Sequence, residues 1–179
     1  MVCSLDGYIA DKNNSVSWFE TSEIFDGGVQ AESPEEFFNT VDCFVMGSHT
    51  YEHAFELSKN YGWPYGSVPT IVLSSRNLPA DRDNIEFWLG SLDDLVEKQL
   101  KPRFRNVWVA GGAIITGEFI RKKLAHELKV SILPVIIGGG LLFFEHALQR
   151  QNIKLIELKA YNNGMVEMSY KFDFSQDSL

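Results

Sequence analysis

Apolar positions along this chain follow two spacings. Short continuous runs lie at 42–46 (DCFVM), 69–74 (PTIVLS), 85–89 (IEFWL), 106–110 (NVWVA) and 127–137 (ELKVSILPVII). They are rich in Val, Ile and aromatic residues and predict strands buried on both faces. Between them the pattern becomes helical. Ser33-Pro34-Glu35-Glu36 reads as an N-cap, a proline at the first helical position and acids in the first turn. A second helix is expected over about 49–58. Ser91-Leu92-Asp93-Asp94 opens a third, expected to run to about Leu100 and to stop before Pro102. A fourth is expected from about Ile114 to His126: Ile115, Phe119, Ile120 and Leu124 recur at near-helical spacing, with Arg121, Lys122 and Lys123 elsewhere around the wheel.

The end of the chain differs. Runs at 153–161 and 165–174 flank Asn162-Asn163-Gly164, the signature of an antiparallel hairpin. Strand–helix alternation closed by a hairpin predicts an α/β fold with a mainly parallel sheet covered on both faces and an antiparallel edge. No repeat, linker or low-complexity stretch divides the 179 residues, so a single domain, 1–179, is expected.

Charge and composition narrow the function classes. The net charge is −8 and no basic block is interleaved with aromatics, which disfavours nucleic acid as a partner. No apolar run approaches the ~18 residues of a membrane span, and no basic-then-apolar leader opens the chain. A cytoplasmic protein is therefore expected. Cys3 and Cys43 lack metal-ligand spacing, and Cys43 lies in the apolar stretch 41–46. Both are expected to be reduced and packed.

Candidate chemistry sits where strands end. In Asn106–Ile115 a strand runs into Gly111-Gly112 and directly into a helix. Backbone amides at a helix start bind anions, and glycines let a pyrophosphate approach the backbone; the same pair also suits a plain tight turn. Val45–Glu52 ends a second strand at Gly47, with Ser48, His49 and Thr50 opening a helix that Ser48 or Thr50 could cap. Ile71–Arg76 ends a third with Ser74, Ser75 and Arg76, a phosphate-compatible group. If these strands run parallel, all three ends converge at one edge, where open α/β sheets bind ligands. Other motifs fail. Gly112 and Gly117 have P-loop spacing, but Glu118 stands where lysine is needed, and no G-x-G-x-x-G follows a strand. His49 and His53 are four apart, but Glu52 is misplaced for H-E-x-x-H and no third ligand is evident, so no metal is expected.

The blocks VMGSHTYE (45–52), IVLSSRNLP (71–79), VWVAGGAIITGEFI (107–120) and LKVSILPVIIGGGLLFFE (128–145) resemble, in that order, dihydrofolate reductases. They more closely resemble the reductase domain at the C-terminus of bacterial riboflavin-biosynthesis deaminase-reductases. SLDGYIAD (4–11) and Gly62–Pro69 fit that second group, and the likeness covers nearly the whole chain.

The resemblance implies a dihydrofolate-reductase-like three-layer α/β sandwich, NADPH as cofactor, a small-molecule substrate and a homodimer, with the apolar hairpin as the contact. It implies that Gly111, Gly112, Ala113, Ile114 and Ile115 cradle the cofactor pyrophosphate. Gly47, Ser48, His49 and Thr50 match a second phosphate-binding turn, and Ser74, Ser75 and Arg76 the loop at the adenosine 2′-phosphate. The family's arginine after Met-Gly is Ser48 here, which leaves Arg76 to supply that charge. Ile9 and Ala10 match positions beside the nicotinamide, Trp18 an active-site-loop tryptophan, and Ser131 and Gly139 the substrate side. Against the family pattern about five residues are missing before Met1, so a short first strand is expected.

The carboxylate of dihydrofolate reductases falls near Ala31. Glu32 and Glu35, with Glu36 close by, are either the candidate catalytic acids or first-turn helix residues favoured by the helix dipole. The expected activity is hydride transfer from NADPH to a small heterocyclic or ribosyl-linked substrate, as in 5-amino-6-(5-phosphoribosylamino)uracil reductase. The alternatives are a dihydrofolate or pterin reductase and a non-catalytic nucleotide-binding protein.

Overall fold

The computed structural model describes residues 1–20, 25–30, 33–144 and 149–174. Its elements follow in the order β1 (Val2–Ser4), β2 (Tyr8–Ala10), α1 (Pro34–Phe38), β3 (Cys43–Gly47), α2 (Ser48–Tyr61), β4 (Thr70–Leu73), β5 (Ile85–Trp88), α3 (Leu92–Leu95), α4 (Lys101–Arg103), β6 (Val107–Gly111), α5 (Ala113–Arg121), β7 (Glu127–Leu133), β8 (Leu141–Leu142), β9 (Ile153–Ala160) and β10 (Val166–Phe172). They belong to two compact units, residues 32–116 and residues 1–31 with 117–179.

In the unit 32–116, four strands form an all-parallel sheet in the order β5-β4-β3-β6. β3 is central and its four apolar residues are fully buried, which explains why the run is apolar without alternation. Asp42 fixes its entry: its carboxylate accepts from the backbone N–H of Arg105 at 2.9 Å and of Asn106 at 2.8 Å. Those bonds, Asn106 first, hold its carboxyl below the usual range. Phe44, Met46, Tyr51 and Val72 anchor the core, with Phe37, Trp63, Tyr65 and Trp108 packed on it. The Tyr51 hydroxyl donates to the Pro79 carbonyl at 2.5 Å, which satisfies the one polar atom that this buried ring carries in.

Two helices of this unit depart from expectation. α2 runs to Tyr61 rather than about 58 and stops at Gly62, whose φ of +81° suits glycine. The helix after Ser91 is capped by that hydroxyl as expected, but it does not end before Pro102. A π-type turn at Val96–Leu100 links α3 to α4. The wide turn keeps Leu92, Leu95, Val96 and Leu100 all buried, and Pro102 falls in the first turn of α4, where a missing N–H costs little.

In the unit 1–31 with 117–179, the sheet order is β1-β7-β10-β9. β1 is parallel to β7, and β10 is antiparallel to both β7 and β9. β2 and β8, two short strands without a sequence signal of their own, pair antiparallel. β7 stops at Leu133 instead of 137, because Pro134 has no N–H for the ladder and Val135 N–H turns back to the Leu133 carbonyl at 2.8 Å. α5 ends at Arg121 instead of about 126: Lys123 adopts φ +56°, and the Leu124 N–H closes on the Phe119 carbonyl at 2.9 Å. The hairpin turns where expected, with Gly164 at φ +77° and the Tyr161 N–H donating to the Met165 carbonyl at 2.8 Å. Four of the seven strand pairings among the described residues are parallel.

Candidate functional site

β3, β4 and β6 run parallel, so Gly47, Ser74 and Gly111 reach the same edge of the unit 32–116. At β6 the ladder slips by one residue between Val45 and Met46, which sets Gly111 rather than Ala110 opposite Met46. Gly111 takes φ +107°, a region that favours glycine, and the Gly111–Gly112 peptide is cis. Helical bonding starts at once: the Thr116 N–H donates to the Gly112 carbonyl at 3.1 Å. Ala113 is buried, Ile115 is partly buried, and Ile114 is exposed at 62%.

The second turn lies against this one. A β-carbon on Gly47 would meet Ile115 Cγ1 at 3.1 Å, and one on Gly112 would meet Thr50 Oγ1 at 3.4 Å. Gly47 is the N-cap of α2 and no side chain caps this helix, so neither Ser48 nor Thr50 serves as the cap that the sequence suggested. The first-turn amides of a 14-residue helix therefore open beside the glycine pair. Two helix starts at one strand edge concentrate the positive ends of two helix dipoles.

The third segment is drawn in by an ion pair. Ser74 forms a local turn, its hydroxyl donating to the Arg76 carbonyl and accepting from the Arg76 N–H, both at 3.0 Å. Arg76 then reaches α2: its two terminal nitrogens donate to the two Glu52 oxygens at 2.9 and 2.7 Å. Ser75 is exposed. The hydrogen bonds from Arg76, followed by its charge and that of His49, hold the Glu52 carboxyl below its ordinary range. His49 is exposed, its Nδ1 3.8 Å from Glu52. The three strand ends singled out in the sequence are thus one constellation, with Glu52 as a member that sequence reasoning missed.

The other candidates lie in the unit 1–31 with 117–179. Ile9 packs on the Cys3, Val130 and Phe143 cluster, and Ala10 is buried at the end of β2. The glycine turn 138–140 presses on the same strand. A β-carbon on Gly139 would lie 2.6 Å from Lys12 Cε, and one on Gly140 would overlap the Ala10 carbonyl oxygen. Asp6 secures this turn by accepting from the Ser4 hydroxyl at 2.7 Å and from the N–H groups of Gly138 (2.8 Å) and Ile137 (3.2 Å). The Ser4 hydroxyl foremost, then those amides, lower its carboxyl below the usual range.

Trp18 sits in a single 3₁₀ turn at Ser17–Phe19, its indole N–H donating to the Ser15 carbonyl at 3.2 Å. Ser131 is buried and its hydroxyl donates to Glu167 at 3.2 Å. Glu167 also accepts from Tyr161 and pairs with Lys129, each at 3.2 Å. This places Ser131 in an internal polar network of the sheet.

Glu32 lies outside the described residues. Glu35 is exposed in the first turn of α1, where acids favour the helix start, while Glu36 completes a capping box with Ser33. Among the described residues no group of three His, Cys, Asp or Glu side chains could hold a metal ion, and no helix is long and apolar enough to cross a membrane.

Comparison with known proteins adds the lineage. The model of the RibD C-terminal domain matches residues 1–167, which spans both units. The uncharacterised protein YwjB of Bacillus subtilis is 25% identical over 93% of this chain and 92% of its own length. The 2,5-diamino-6-ribosylamino-4(3H)-pyrimidinone 5′-phosphate reductase of Aquifex aeolicus is 29% identical over 40% of this chain and 37% of its own length. In structure, a putative riboflavin biosynthesis protein of Shewanella sp. PV-4 aligns with a TM-score of 0.81 over 97% of this chain and 96% of that one, at 24% identity. The Thermotoga maritima deaminase/reductase aligns at 0.66 over 96% of this chain and 55% of its own, at 15% identity. At such identities the structural matches establish the fold, a dihydrofolate-reductase-like α/β arrangement.

Proposed function

This chain belongs to the RibD C-terminal domain family, and from that premise we propose that it is an NADPH-dependent reductase of a small ribosyl-linked heterocycle. The observation that carries the reading is the union of three strand ends around two helix starts: Gly47–Thr50, Ser74–Arg76 and Gly111–Ile115. Free amides and side-chain-free backbone suit a dinucleotide's pyrophosphate, and a guanidinium stands toward the adenosine end. Gly111 to Ile115 and the α2 amides hold the pyrophosphate, and Ser74 to Arg76 meet the adenosine end. The bound cofactor supplies the hydride, and the chain supplies positioning and electrostatics.

A ribosyl phosphate substrate is supported by Lys12, which lies across Gly139 and offers a cation beside the glycine turn. The name of the Aquifex aeolicus relative specifies a substrate of this class. Glu35, exposed in a first turn, gives no support to a pterin reductase. The test is to incubate the protein with NADPH and 5-amino-6-(5-phosphoribosylamino)uracil, following cofactor oxidation and product mass. Gain of two hydrogens by the substrate supports the reading. Turnover of dihydrofolate alone replaces it with a pterin reductase, and binding without any turnover leaves a nucleotide-binding protein.

The working form in this reading is a homodimer. β9 is the outermost strand of its sheet, yet Ile153, Leu155, Ile156 and Leu158 are 42–60% exposed. An apolar edge strand that is exposed on both faces is a template for pairing. The Val29 N–H already holds the Ala160 carbonyl, so an antiparallel pairing of two copies is confined to the open stretch of this edge before Ala160.

A further inference from the structure

Resting on the reading of Ser74–Arg76 as the adenosine-end loop, we propose that Glu52 sets the dinucleotide preference of this site by occupying Arg76. The guanidinium that would receive a 2′-phosphate already holds both oxygens of one carboxylate in a fork-to-fork pair at 2.9 and 2.7 Å. Ser48 follows Met46-Gly47, and the next arginine after Arg76, Arg82, is engaged by Ser58, Asp81 and the Trp63 ring. The imidazole of His49 leans on the same carboxylate at 3.8 Å. The Arg76 guanidinium at this end of the site therefore faces Glu52, and the Arg76–Glu52 pair has no net charge to offer an anion.

A 2′-phosphate carries between one and two negative charges at neutral pH. To bind Arg76 it must displace Glu52 or share the guanidinium with it, and either arrangement leaves two anions side by side. An unphosphorylated ribose meets no such repulsion, and its 2′-hydroxyl can donate to a carboxylate. The preference for NADPH over NADH that a lone arginine would confer is consequently muted by its partner. The pair is exposed at 49% and 39%, so the effect is one of modest, salt-sensitive size.

The test is a titration of the whole protein with NADPH and NADH at low and physiological ionic strength, for the native chain, Glu52→Gln, Arg76→Gln and the double variant. Melting curves verify that each is folded. Glu52→Gln should tighten NADPH by roughly five- to tenfold, as a freed charge-assisted contact would, and leave NADH within about twofold. Arg76→Gln alone should change NADPH by less than about threefold, yet erase the gain in the double variant. An unchanged NADPH-to-NADH ratio in Glu52→Gln overturns the proposal while leaving the dinucleotide site intact. Failure of all four proteins to bind either dinucleotide overturns the site itself, and this proposal with it.

Discussion

Gly112 faces the hydroxyl of Thr50: a β-carbon on the glycine would sit 3.4 Å from Thr50 Oγ1, an ordinary contact distance. The glycine pair after β6 and the first turn of α2 thus share one small patch of backbone, although 61 residues separate them in the chain. A glycine is not needed there to relieve a clash within the protein. In the proposed function, the open space beside it receives the pyrophosphate.

Gly140 is constrained by the fold itself. Its φ is +146°, and a β-carbon there would overlap the Ala10 carbonyl oxygen. Gly140→Ala should cost about 1–3 kcal/mol and lower the melting temperature by several degrees. Gly138→Ala, at φ +74° with no atom within 4 Å of the added carbon, should cost less. Equal melting temperatures for the two variants would refute the close packing of this turn on β2.

Asp6 should make the protein acid-sensitive. Its folded carboxyl titrates below the ordinary value, so its contribution is present above the unfolded pKa of about 3.9 and is lost as pH falls through the folded value. Asp6→Asn should be less stable near neutrality, and its melting temperature should fall less steeply between about pH 5 and pH 3. Parallel pH profiles for the variant and the native chain would refute the Asp6 clamp on Gly138.

Cys43 should be silent to thiol reagents. It is fully buried, and burial pushes its thiol pKa up to about 12, while burial also raises that of Cys3. Thiolate is the reacting form. An aromatic disulfide reagent at mildly alkaline pH should therefore titrate neither thiol in the native protein and both in denaturant. Rapid native reaction would contradict this packing.

The exposed face of β9 predicts a concentration-dependent dimer. Ile156→Lys would place a charge in the apolar open edge and should yield a folded monomer in sedimentation experiments. A native chain that sediments as a monomer throughout would remove the self-pairing.

Much of this molecule was legible in the sequence because local and global signals agree. The run 42–46 is apolar at each position after Asp42 because β3 is buried between β4 and β6. Asn162-Asn163-Gly164 turns a hairpin because Gly164 tolerates a positive φ. The convergence of Gly47, Ser74 and Gly111 was legible for a related reason: strands that share direction bring their ends to one edge.

Contacts across long sequence distances were not legible. Asp6 binds amides 131 and 132 residues away, Ser131 is engaged by Glu167, and Arg76 by Glu52. No periodicity marks such pairs. β2 and β8 are too short to show alternation, and Pro102 continues a helix because a π-type turn precedes it.

The central claim is that the backbone around Gly112 receives a dinucleotide, and the most direct test is a titration of NADPH against the native chain and Gly112→Ala. The account predicts saturable binding by the native protein. It also predicts an unchanged circular dichroism spectrum for the variant and a Kd raised by about tenfold or more, equivalent to roughly 1.4 kcal/mol. Equal affinity in two folded proteins, or no binding by the native chain, would contradict it.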